Sequence, residues 1–123
     1  MDVAISFPNE RRYLDVARLV FGGTAARLDM SYDDVDDVQL AIESVLNADL
    51  SLAEEIRLEA RVDGTALSIW VGPLDAPSLA ARLADSRHGL SLQLVLDRLV
   101  DSVRPSIRGD ATGLLLLKQV LAP

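Results

Sequence analysis

The stretch DVQLAIESVLNADL, Asp37 to Leu50, holds the residue pair in this chain best suited to chemistry. Its apolar positions recur at helical spacing, and Glu43 and Asn47 stand one turn apart on a face that packing does not need. Side chains four apart on a helix project together, so both can reach one group. An asparagine carbonyl is a hard oxygen ligand suited to Mg2+, an ion that keeps several waters and bridges phosphates. A carboxylate beside it can orient or deprotonate a nucleophile. Two exposed polar residues with no chemical role would leave the same spacing.

The bulk composition narrows the setting. A chain of 123 residues argues for one domain, 1–123, with enough buried surface for a core. There is no cysteine, which excludes disulfides, thiol catalysis and thiolate metal sites. A net charge of −7 repels phosphate backbones and argues against nucleic acid as a partner. No apolar run is long enough to span a bilayer, so no membrane association is expected. The start, MDVAISFPNERR, has no positive region ahead of an apolar run and does not read as a signal peptide, so the cytoplasm is the expected location.

The elements that must position Glu43 and Asn47 follow from periodicity. DVAISF alternates as a first strand ended by Pro8, after which Asn9 is a candidate cap for a helix running to about Leu28. Ser31 is the candidate cap of the second helix, and Asp33, Asp34, Asp36 and Asp37 suit the positive end of its dipole. Val35, Val38, Ile42 and Val45 form its core stripe; Asp36, Leu40, Glu43 and Asn47 form a second stripe. EEIRLEARVDGTALSIWVG is a hairpin with an Asp63-Gly64 turn signal, apolar on one face and polar on the other. A long connection, Gly72 to Gly89, brackets a short helix from about Pro77 to Ala84. Leu90 to Val103 reads as a strongly apolar helix, and two closing strands meet near Gly109-Asp110, the first at an edge or bulged because of Pro105. The expected fold is α+β, a two-layer sandwich of a mostly antiparallel sheet with helices on one face.

This order and several local strings resemble the anti-sigma factor and serine-protein kinase type of Bergerat-fold ATPase, related to the catalytic domains of histidine kinases. The resemblance spans nearly the whole chain. AIESVLNADL supplies a Glu-x-x-x-Asn box at Glu43 and Asn47, and RLVDSVRPSIRGDATGLLLLKQV looks like the family's closing segment. The resemblance implies a histidine kinase-like ATPase fold, with Asn47 on the Mg2+ side of a nucleotide and Glu43 as the catalytic acid-base residue of an active member.

The chain departs from the family where the base is read. Family members carry Asp-x-Gly-x-Gly after the third strand, whose aspartate binds the adenine amino group. Here the strand runs into SIWVGPLDAP, which sets Pro73 at the aspartate position. A shifted register makes Asp75 the candidate adenine-binding residue but sets Pro77 where glycine is wanted. RHGLSLQLV keeps Gly89 of a second glycine run, with Arg87 able to pair with a phosphate and Ser91 in a glycine's place. His88, the only histidine, has no second histidine to share a metal and reads as solvated.

The expected cofactor is therefore none, or weakly held ATP with Mg2+. The first functional reading is a regulatory protein-binding domain whose partner is a sigma factor or an anti-anti-sigma protein. The alternatives are an active ATP-dependent serine-protein kinase and anti-sigma factor of a partner-switching system, and a small α+β domain with another ligand. Trp70 falls on the polar face of its strand, where it is wet or covered by another chain. It marks the expected interface for a homodimer or hetero-complex.

Overall fold

The computed structural model describes residues 2–26, 30–48, 50–85 and 91–119. Five strands, β1 (Asp2–Pro8), β2 (Glu55–Asp63), β3 (Ala66–Gly72), β4 (Ser102–Arg108) and β5 (Ala111–Gln119), form one sheet in the order β1-β2-β3-β5-β4. Every pairing in it is antiparallel. Four helices, α1 (Leu14–Ala26), α2 (Tyr32–Asn47), α3 (Ala76–Ala84) and α4 (Leu92–Leu99), complete the α+β sandwich, and a short 3₁₀ turn, Arg11–Tyr13, precedes α1. This is the expected architecture, with Pro105 on the edge strand β4 as its missing donor requires.

Alternation decides which face is covered. Ile56, Leu58, Leu67, Ile69, Val71, Leu114 and Leu116 point to one side and are buried against Val38, Ile42 and Val45 of α2, Phe21 of α1 and Leu96 of α4. Ser31 caps α2 as expected, its hydroxyl accepting from the Asp34 amide at 3.1 Å. Gly64 enters the hairpin turn at φ 63° and Gly109 the β4–β5 turn at φ 60°, left-handed values that suit glycine.

Three details differ from the sequence reading. Asn9 does not cap a helix; its amide donates to the Ala53 carbonyl at 3.0 Å and to that of Ser51 at 3.4 Å, tying the end of β1 to the segment before β2. The apolar spacing of Leu99 and Val103 crosses a boundary: α4 ends at Leu99, and the Asp101 amide bonds to Leu117 O at 2.8 Å as the chain turns into β4. The acidic start of α2 also meets a cation. Lys118, mostly buried on the covered side of β5, places Nζ 2.9 Å from Leu99 O at the end of α4, 3.5 Å from Asp37 and 3.7 Å from Asp34.

Candidate functional site

Helix α2 carries Glu43 and Asn47 past the open end of the helical layer. Its buried side (Val38, Ala41, Ile42, Val45) fixes its rotation, so the stripe of Leu40, Glu43 and Asn47 faces α3 and α4. Between these helices lies an open cleft of about 450 Å³, lined by Leu40, Glu43, Ser44, Asn47 and Ala48 from α2, Arg82 from α3, and Ser91, Leu92 and Val95 where α4 begins. The structure thus brings the two sequence-predicted residues together and adds Arg82, which the sequence reading did not single out. Its role depends on α3 lying across from α2, a nonlocal fact.

The two α2 residues are not in equal states. Asn47 is exposed, and its amide makes no hydrogen bond among the described residues. Glu43 is engaged: its Oε1 lies 2.9 Å from Nη1 of Arg18 on α1. A guanidinium occupying that oxygen leaves one carboxylate oxygen for any other work. No group of three or more acidic or imidazole side chains among the described residues could hold a metal by itself. A cation at this end would therefore depend on Asn47 and the ligand's own oxygens.

The exit of β3, where an adenine would be read, is stitched shut by the chain itself. The Leu74 amide donates to Thr112 O and the Asp75 amide to Leu50 O, both at 2.7 Å. The Pro73 carbonyl accepts from the Ser51 hydroxyl at 2.7 Å. Asp75 is the N-cap of α3: its carboxylate accepts from the Ser78 amide at 3.1 Å and from the Ser78 hydroxyl, with Pro77 in the first turn. It does not line the cleft. The residues at the phosphate and metal end fit a nucleotide in part, whereas those at the base end do not. Arg87, His88 and Gly89 lie outside the described residues.

Trp70 corrects an expectation. Alternation does place it on the uncovered face of β3, but the ring is 2% exposed and is covered by its own chain. It lies flat across Gly72 and Gly113; a Cβ at Gly72 would come within 2.5 Å of the ring, and one at Gly113 would overlap it. Its Nε1 donates to Ser106 O at 3.1 Å. Arg108 reaches across the sheet from β4 to Glu59 at 3.2 Å, its guanidinium carbon 5.9 Å from the ring centre. A partner meeting this face would touch Arg108, Glu59 and Leu117 and not the indole.

No family model matches the chain, and no curated protein sequence does. Among solved structures it is similar to the RsbU and RsbW domains of Rv1364c from Mycobacterium tuberculosis, with a TM-score of 0.70 and 13% sequence identity over 98% of this chain. The chain spans 32% of that longer one. At this identity the likeness establishes the fold alone: an α+β domain with a five-stranded antiparallel sheet and four helices among the described residues.

Proposed function

We propose that this chain is a regulatory protein-binding domain of the anti-sigma kind, acting by protein–protein contact, with nucleotide binding weak or lost. The observation that carries this reading is the exit of β3. Pro73 offers no side-chain acceptor, Asp75 is committed to capping α3, and the amides of Leu74 and Asp75 are bonded within the chain. Of these groups only the second Asp75 carboxylate oxygen is left for a base-specific contact, and the cap holds it at the start of α3. The likeness to a chain containing an RsbW domain supports a partner from that regulatory class, a sigma factor or an anti-anti-sigma protein.

A second reading, an ATP-dependent serine-protein kinase, draws on one observation: Glu43 and Asn47 share a cleft with Arg82. In that case Asn47 would take the Mg2+ side of the phosphates and Glu43, released from Arg18, would serve as the base. Calorimetric titration with ATP–Mg2+ separates the two. The first reading expects no saturable heat at micromolar nucleotide and a partner complex that forms without it. Micromolar affinity, or transfer of phosphate to an anti-anti-sigma protein that Glu43→Gln abolishes, would establish the second.

A further inference from the structure

The helices cover one face of the sheet, and no described helix lies on the other. The charges on this open face are settled unevenly. On the β1–β2 half they are paired: Arg61 Nε lies 3.5 Å from Asp2, and Arg57 Nε 3.2 Å from Glu59 Oε1. On the β5–β4 half, alternation turns Leu115 and Leu117 of β5 outward, with Arg104, Ser106 and Arg108 of β4 beside them. No outward strand residue of this half is acidic. Arg108 borrows the second oxygen of Glu59, 3.2 Å away across the sheet, from the carboxylate that already holds Arg57. Arg104 is exposed and makes no hydrogen bond or ion pair among the described residues. The Asp101 carboxylate, just before β4, accepts from the Gln119 amide at 2.6 Å. In a chain of net charge −7 this half of one face holds a local excess of positive charge.

The same half is apolar at its centre and level. Leu117 is 36% exposed, and Leu115 is half-buried opposite Arg104 in the register. The indole of Trp70 lies flat over Gly72 and Gly113 and leaves no ridge there. Pro105 lacks an N–H at the centre of β4, and proline with flanking charge guards an edge against strand addition. An occupant therefore lies on the face and does not extend the sheet.

We propose that the β5–β4 half of the open face docks an acidic amphipathic helix of a protein partner. This rests on the reading of the chain as a protein-binding domain and places a contact on the side of the sheet away from the cleft. Leucines of the helix rest on Leu115 and Leu117, and carboxylates on its β4 flank meet Arg104 and Arg108. The two arginines are four strand residues apart, about 13 Å, which matches carboxylates about seven or eight residues apart on a helix. The free guanidinium of Arg104 gives the new pair its specificity, since a bidentate carboxylate fits its fork. Nucleic acid suits the surface less well: Trp70 is 2% exposed and offers no stacking platform, and the chain as a whole repels phosphates. A second copy would set arginine against arginine.

The probe is a synthetic helix-forming peptide with leucines at i, i+4 and i+7 and two glutamates about seven residues apart along one flank. Fluorescence anisotropy reads its affinity for the full chain, and amide chemical shifts locate it. Saturable binding is expected, with shifts centred on Arg104, Ser106, Leu115 and Leu117 and a changed Trp70 emission. Arg104→Glu, at a residue without a partner in the fold, should weaken binding by about tenfold or more, as should Leu117→Glu. Arg98→Glu, the same charge change on α4, should not. No saturable binding overturns the proposal. So does a peptide bound equally well with lysines for its glutamates, equal losses in Arg98→Glu and Arg104→Glu, or tighter binding of a single-stranded oligonucleotide. Shifts centred on Asn47, Arg82 and Ser91 would also overturn the surface while leaving a protein-binding domain. Calorimetry with ATP–Mg2+ tests that reading separately, because the cleft lies on the helical side of the sheet.

Discussion

Replacing Gly113 by alanine tests the packing of Trp70 more sharply than replacing the tryptophan. The backbone at Gly113 is not left-handed, so alanine fits it, and in an open site the change would stabilise by about 0.4–1 kcal/mol through the unfolded chain. Here the added Cβ would occupy the position of the indole. Full expulsion of the ring would return about 150–250 Å² to water. At about 25 cal/mol per Å² that is an upper figure of about 4–6 kcal/mol, plus about 1 kcal/mol for the bond to Ser106 O. Lifting the ring and spreading the neighbours, by the usual scale of overpacking, costs about 1–3 kcal/mol. The cheaper route sets the outcome, so Gly113→Ala should lower stability by about 1–3 kcal/mol. Guanidinium melts followed by fluorescence read both effects, because Trp70 is the only tryptophan and any lifting shifts its folded-state emission to the red. In a Trp70→Val background the same change should stabilise, a reversal of sign that a double-mutant cycle records. A Gly113→Ala protein as stable as the parent, with unshifted emission, would refute the cradle.

Asn47→Ala should leave stability nearly unchanged, since the side chain is exposed and unbonded among the described residues, while Ile42→Ala and Val45→Ala should each cost about 2–4 kcal/mol; urea melts rank the three. Lys118→Met keeps the stem but removes the cation shared by Asp34, Asp37 and Leu99 O, and should cost about 1–3 kcal/mol in the same assay, part of it recovered when both aspartates become asparagine. ATP with Mg2+ at millimolar concentration should leave the melting temperature in place. A ligand at about 100 times its dissociation constant would add about 2.7 kcal/mol and move the melt by several degrees.

The parts of this molecule that were legible in its sequence are those set by local pattern. The β2–β3 alternation, the Ser31 cap and the apolar stripe of α2 each need only a few neighbouring residues, and the stripe alone places Glu43 and Asn47 on one face. Asp75 carries a second local signal that the sequence reading did not use: Asp-Ala-Pro-Ser is a helix start, and the cap it makes engages one oxygen of the carboxylate a shifted nucleotide register would use. Trp70 needed information no window contains. Gly72 is two residues along the same strand, but Gly113 joins it only through the β3–β5 register, and Arg108 arrives from an edge strand. Arg82 reaches the cleft for the same nonlocal reason. The end of α4 misled because helical spacing continued by chance from Leu99 to Val103.

The position of β5 has a consequence for how the chain is made. It is the last strand in sequence, yet it lies between β3 and β4, with Leu114 and Leu116 wholly buried. Until it is synthesised, β3 has a bare inner edge and β4 has no strand to join. At about 5–20 residues per second, the roughly 50 residues from the end of β3 to the end of β5 take about 2–10 s. During that interval the β1–β2–β3 meander and its helices stand with an apolar edge open to solvent or to a chaperone. Folding of the sheet must therefore wait for β5, and a translational stall before Ala111 would hold an aggregation-prone intermediate in place.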